Sequence, residues 1–342
     1  MITFLLGFKN KIVLHDINKY KYFYHIKAYF LNEGKYYYCT FIYNDKIIND
    51  CEKIINYIDK EIIIIKDNIY IYKLQPWINE GELDWNTLSK NPNAIKLLER
   101  HSFYINWSML SKNPSAIHLL ENNINKIDWF NLSKNHNAIH LLEQYQDKIN
   151  WEQLSINQNG INLLESNLDK INWSNLSSNI KAIKLLEKNL DKIDWYALSK
   201  NPSAINILKN NIDNIDWYEL SGNPNAIDML EKNLEKVHWP YLSENPNAMH
   251  LLERNLDKID WDKLSSNKEA THLLIRNLDK VNWSILSENP KAIHLLEKSQ
   301  DKIDWYSLSS NSKAINLLEM NQNNIYWRKL SENQCIFSYD YP

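Results

Sequence analysis

Trp239 to Trp261 reads WPYLSENPNAMHLLERNLDKIDW, and the tryptophans at its two ends stand 22 residues apart. The same spacing runs through Trp85, Trp107, Trp129, Trp151, Trp173, Trp195, Trp217, Trp239, Trp261, Trp283, Trp305 and Trp327, and only Trp77 of the 13 tryptophans lies outside the series. A period this strict marks a tandem array, in which each copy is one supersecondary unit and the stacking of neighbours supplies the core. Residues 85 to 342 therefore read as eleven full units and a twelfth cut short. An array of this kind is expected to be a binding scaffold and not an enzyme.

With each tryptophan as position 1, the unit is W-x-x-L-S-x-N-P-x-A-I-x-L-L-E-x-N-L-D-K-I-D/N. Leucine at position 4 (Leu88 to Leu330), serine at position 5 (Ser89 to Ser331) and asparagine at position 7 (Asn91 to Asn333) recur in all twelve units. Asparagine followed by proline, as after Asn113, Asn201, Asn223 and Asn245, predicts an N-cap and a helix B starting at position 8, where proline wastes no N–H. Positions 10, 11, 13 and 14 form an apolar stripe broad enough to touch both neighbouring units, and positions 9, 12 and 16 fall on the wet face. Asparagine at position 17 suits a left-handed C-cap, the acid and lysine after it turn the chain, and the isoleucine at position 21 plugs inward. Aspartate or asparagine at position 22 then caps a short helix A of about 5 or 6 residues, in part 3₁₀. The tryptophans are expected in the core, each indole contributing up to about 4 to 6 kcal/mol by area. The fold class that follows is mostly α: an α-solenoid of twelve helix hairpins. Helix spacing of about 8 to 10 Å makes it a rod of roughly 100 Å.

Strings such as Asn245–Trp261 and Asn113–Trp129 (NPSAIHLLENNINKIDW) resemble the NPNAIHLLE-type, tryptophan-containing repeat proteins of mimivirus-like giant DNA viruses of amoebae. The ending NQCIFSYDYP, residues 333 to 342, is similar to the closing segment of that family. The likeness covers about three quarters of the chain. It implies a viral origin and a host-cell setting, and implies no activity.

Residues 1 to 78 carry no repeat and read as a small α+β domain that caps the exposed first unit, with the array taken as residues 79 to 342. Apolar or alternating runs at 2 to 14, 22 to 31, 36 to 43, 62 to 65 and 69 to 74 predict strands, and 45 to 59 has helical spacing. Hydrophobic content of 44% with 24% charge is that of a folded globular chain, and the net charge is −3. Residues 1 to 78 hold 11 Lys against 8 acids, leaving 28 basic and 34 acidic residues beyond. Neither part has the basic excess that nucleic-acid binding needs. Three cysteines without paired spacing, a seven-residue apolar start and no spanning run predict a protein of host cytoplasm or virion, neither secreted nor membrane-inserted.

Candidate chemistry reduces to structure on inspection. Histidines at position 12 (His118 and His140; His250, His272 and His294) lie about a helix-packing distance apart, too far to share one metal ion. The serines at position 5 lack a paired base and are expected to bond backbone between the helices. Sequons such as Asn106-Trp107-Ser108 follow mechanically from the consensus. No cofactor motif occurs. Recognition is expected where the units differ: positions 2 and 3, with Phe130, Tyr196, Tyr218, Glu219, Tyr241, Tyr306, Arg328 and Lys329, and position 6, whose sign drifts from Lys90, Lys112 and Lys134 to Glu244, Glu288 and Glu332. Aromatic residues on such a face suit a protein partner. A virion structural role is the rival, and single-stranded RNA binding the third reading.

Overall fold

A computed structural model describes residues 71 to 340 and five earlier strands. The chain is mostly helical, built of twelve tryptophan-marked units. Helix A starts at each tryptophan and runs four to six residues, as in Trp239–Glu244 and Trp305–Ser309. Where position 22 is Asp or Asn its side chain caps the helix: Asp216 accepts the backbone N–H of Glu219, and Asn282 that of Ile285, whereas His238 and Tyr326 make no such bond. Helix B follows in eleven units, as in Met249–Glu253, and a 3₁₀ turn such as Leu256–Lys258 returns the chain. The leucines at positions 4 and 14 and the alanine at position 10 have no exposed surface in almost every unit, so the core is one row running through all of them.

The array closes on itself. Within it, the N–H at position 22 donates to the position-5 serine hydroxyl of the helix A before it, at 2.9 to 3.1 Å in every unit. Asp84 N–H makes the same bond, at 2.9 Å, to Ser331 in the last unit. The position-7 asparagines behave likewise. Asn223 Nδ2 donates to the carbonyls of Ser199 and Asn201, and Asn91 Nδ2 donates to those of Ser331 and Asn333. Asn93 reaches Gln334 O, and Lys90 pairs with Glu332 at 3.0 Å. First and last units thus meet through the bonds that join any other pair, and the expected open rod is a closed ring. A full turn shared by twelve units is about 30° per unit, the small per-repeat rotation that curves a solenoid.

A two-stranded clasp seals the seam. Five strands, β1 (Ile2–Leu6), β2 (Asn10–Leu14), β3 (Cys39–Tyr43), β4 (Lys46–Ile47) and β5 (Glu61–Lys66), form a sheet ordered β2-β1-β5-β3-β4, in which β1 and β5 are parallel. The apolar run at 2 to 14 is therefore two antiparallel strands, and the helical spacing at 45 to 59 begins with a strand; the rest of that stretch, and the run at 22 to 31, lie outside the described residues. By contrast β6 (Ile71–Leu74) pairs antiparallel with β7 (Phe337–Asp340). Ile336 and Phe337 occupy repeat positions 10 and 11 and are buried, so the last unit trades helix B for a strand while still filling its share of the core. The exposed first unit that residues 1 to 78 were expected to cap does not exist, because the twelfth unit covers it.

Three local expectations change for physical reasons. Helix B begins at position 11, not 8: Asn-Pro opens a turn in which Asn245 Oδ1 accepts the N–H of Asn247, while Ala248 N–H donates to Asn245 O. The amide nitrogen is thereby free to cross to the preceding unit. Position 17 is not left-handed; Asn255 has φ −136°, and its amide satisfies the Leu251 carbonyl at the end of helix B. The tryptophans pack against the core yet are only half buried, and the lysine at position 20 lies over the indole, with Lys236 Nζ 4.6 Å from the ring centre of Trp217. The wholly buried leucines, not the indoles, fill the centre.

Candidate interaction surface

Successive helices A pack side by side from the first unit to the twelfth, whereas successive helices B do not approach one another in that way. Helices on the smaller circumference crowd and those on the larger one splay, so helix A lines the inside. At an axis spacing of about 8 to 10 Å, twelve helices form a circle of about 15 to 19 Å radius; removing about 5 Å of helix leaves an opening roughly 20 to 28 Å across. With positions 1, 4 and 5 turned to the core, helical geometry turns positions 2 and 6 to the opening and position 3 toward the next unit. Exposure follows that order: Tyr196, Tyr218 and Tyr306 are about half exposed at 51%, 46% and 50%, and Phe130 is 47% exposed.

The structure gathers the residues singled out by sequence into three groups on this wall. Tyr196, Tyr218, Glu219 and Tyr241 come together across three adjacent units. Tyr218 and Tyr241 have ring centres 4.4 Å apart, with His238 at 3.9 Å from Tyr218. Glu219 is buried at 6% exposure and lies 3.9 Å from Lys200 Nζ. The Glu219 carboxylate, first as an acceptor facing the Tyr196 hydroxyl and then through its charge, pushes the phenol pKa up to about 12. The neighbouring Tyr218 raises the Tyr241 pKa in the same sense. Tyr306, Tyr326 and Lys329 form the second group, with Lys329 Nζ 5.0 Å from the Tyr306 ring centre. Phe130 stands apart with Lys134 over its ring at 5.4 Å, and Arg328 is exposed beside the seam.

Polar support runs around the same wall. Ser108 and Ser174 at position 2 donate to the position-22 caps Asp128 and Asp194, at 2.6 and 2.5 Å. For Asp194 the Ser174 bond is the main cause of a carboxyl pKa below its ordinary value; for Asp128 burial pushes up, and the bonds from Ser108 and Asn131 outweigh it. On the outside the histidine runs are ladders between units. His118, His140, His250 and His272 each meet the position-15 glutamate of the preceding unit, at 2.6 to 2.8 Å. The ladder stops at His294 because position 15 before it is Ile275. Each of these four histidines meets a carboxylate and not another histidine, and among the described residues no cluster of three or more His, Cys, Asp or Glu is placed to hold a metal. The position-5 serines are fully buried: Ser221 Oγ donates to Trp217 O and accepts His238 N–H.

One surface escaped the sequence reading. Leu168, Leu190, Ile212, Leu234, Leu256 and Leu278, all at position 18, are 40% to 53% exposed in six consecutive units. The aliphatic run at one repeat position, beside a turn-forming Asp-Lys pair, was the available signal. No helix of the described residues is long and apolar enough to cross a membrane. The sequence matches no protein-family model, no curated protein and no solved structure.

Proposed function

We propose that the ring is a non-enzymatic scaffold that binds another protein on its inner wall. The observation that carries this reading is the separation of constant from variable positions. Residues that build and close the ring, at positions 4, 5 and 7, do not change, while positions 2 and 6, which share one continuous wall, and position 3, at the unit junctions beneath it, change in almost every unit. Half-exposed tyrosines clustered there, Tyr196, Tyr218 and Tyr241, have the chemistry of interface anchors: large rigid area with a polar tip. The likeness of the repeat to giant-virus proteins supports a viral origin and a host or viral partner in the infected cell. Affinity purification with Tyr196, Tyr218, Tyr241 and Tyr306 changed to Ser is expected to lose a specific partner that the wild type retains; undiminished recovery of every partner would overturn the assignment.

The virion reading retains one supporting observation. A closed ring has no free end for end-to-end tiling, but the six aliphatics at position 18 would let rings associate through that surface. Stoichiometric recovery in purified particles would favour this role; recovery only in the soluble infected-cell fraction would favour the adaptor. RNA binding is less well supported, because positions 2, 3 and 6 together carry seven cations (Lys90, Lys112, Lys134, Lys200, Lys263, Arg328, Lys329) against six acids (Glu152, Glu219, Glu244, Asp262, Glu288, Glu332).

A further inference from the structure

Ring closure brings together cations that stand at opposite ends of the chain. The twelfth unit, which carries Arg328 and Lys329, lies next to the first, which carries Lys90, followed by Lys112 and Lys134 of the second and third. All five occupy positions 2, 3 or 6 of helix A, on the inner wall. Glu332, paired with Lys90, is the sole carboxylate at those positions in the four units. At those positions a third of the circumference therefore carries five cations against one acid, and with the position-22 caps Asp84 and Asp128 on the same wall the net is two. The remaining eight units balance to the opposite sign at the same positions, with two cations and five acids.

We propose that this arc binds an acidic polypeptide segment laid along the wall, an inference that rests on the inner wall being a protein-binding surface. Four units span three steps, which along the face of an opening about 20 to 28 Å across is roughly 16 to 22 Å. That is the length of about five to seven residues of extended chain, so the cations come roughly every second residue. At the two ends of the arc Lys134 and Lys329 already lie over the rings of Phe130 and Tyr306, which limits their freedom before any ligand arrives. Past Tyr326, which packs edge-on against Tyr306, positions 2 and 3 offer Asn86, Thr87, Ser108 and Met109 before Phe130, and no aromatic row on which successive bases stack. A duplex wide enough to fill the opening would press its phosphates on the acidic wall opposite. Both points favour a carboxylate-rich peptide over nucleic acid.

The test uses the full-length chain and fluorescein-labelled deca-glutamate, followed by anisotropy. Saturable binding is expected, weakening about tenfold between 50 and 200 mM salt as screening shortens the reach of the charges. K112E with K134E should weaken it at least tenfold. K188E with K232E, which reverses two exposed lysines on helix B, should leave it within about twofold, and thermal unfolding of both variants verifies the fold. Absent binding, or binding equal in both variants, overturns the inference without touching the tyrosine test of the wall. Tighter binding of a labelled ten-nucleotide oligo(dT), lost in K112E/K134E, overturns it in favour of nucleic acid.

Discussion

Changing Asn91 to Asp isolates ring closure from every other role of that residue. Asparagine and aspartate are equal as acceptors for the turn N–H, so the Asn93 N–H bond at 3.1 Å survives. Only the amide donors are lost. At an interior position, Asn223, these reach Ser199 O at 2.9 Å and Asn201 O at 3.1 Å in a fully buried site. Two lost bonds at about 1 kcal/mol each, together with two carbonyls left facing a carboxylate, make N223D cost about 3 to 4 kcal/mol. At the seam the bonds are longer, 3.2 Å to Ser331 O and 3.4 Å to Asn333 O, so N91D should cost about 2 to 3 kcal/mol. That is a fall of roughly 3 to 6 °C in unfolding temperature for a domain of this size. An open rod has no unit before Asn91, and there the same change would cost well under 1 kcal/mol. Thermal and denaturant unfolding of the two variants side by side decide between them. If N91D unfolds with the wild type while N223D does not, the ring is refuted.

The remaining expectations concern the unit itself. Ser221→Ala removes a buried hydroxyl that bonds Trp217 O and His238 N–H at once, and should cost about 1 to 3 kcal/mol by denaturant titration. Leu220→Ala should destabilise at least as much as Trp217→Ala, since Leu220 is wholly buried and the indole keeps part of its surface in water; the reverse order would restore the tryptophan as the chief packing element. The Asp194 carboxyl titrates below its ordinary 3.8 in the folded chain, so its cap stabilises above that value and is lost as pH falls through the depressed folded one. Ser174→Ala returns the carboxyl toward 3.8 and should move acid unfolding to higher pH, with the carboxyl titration followed by NMR; an unmoved titration would show that Ser174 does not hold the cap.

Much of the unit was legible because its determinants are local. The tryptophan period gave the copy number, and Asp216 or Asn282 at position 22 announced the start of helix A through cap chemistry that needs only three residues. What stayed hidden depends on the neighbouring unit. Asn245 and Asn255 satisfy the sequence rules for a helix N-cap and a left-handed C-cap, yet the first spends its amide on Ser221 and Asn223 of the previous unit and the second on Leu251. Curvature was hidden more deeply. Thirty degrees per unit is a sum of small tilts at an interface, and no residue type stands for an angle. The variable wall was visible as a set of positions, whereas the adjacency of the units that carry Arg328 and Lys90 exists only once the ends have met. The drift of position 6 from lysine to glutamate, a gradient when read along a line, becomes the Lys90–Glu332 ion pair on a circle.

The ladder of position-7 amides also constrains how such a gene can change. In an open array a 22-residue duplication adds one more step and leaves the others as they were. In a closed one the turn must still total a full circle, so a thirteenth unit would have to take about 2° from every interface, and a lost unit would add about 3° to each. Either change is spread over all the serine and asparagine bonds together, or else collects at the weakest junction, where β6 and β7 meet. Substitution on the inner wall carries no such penalty. The geometry therefore favours lineages that alter side chains facing the opening while keeping the tally of copies at twelve.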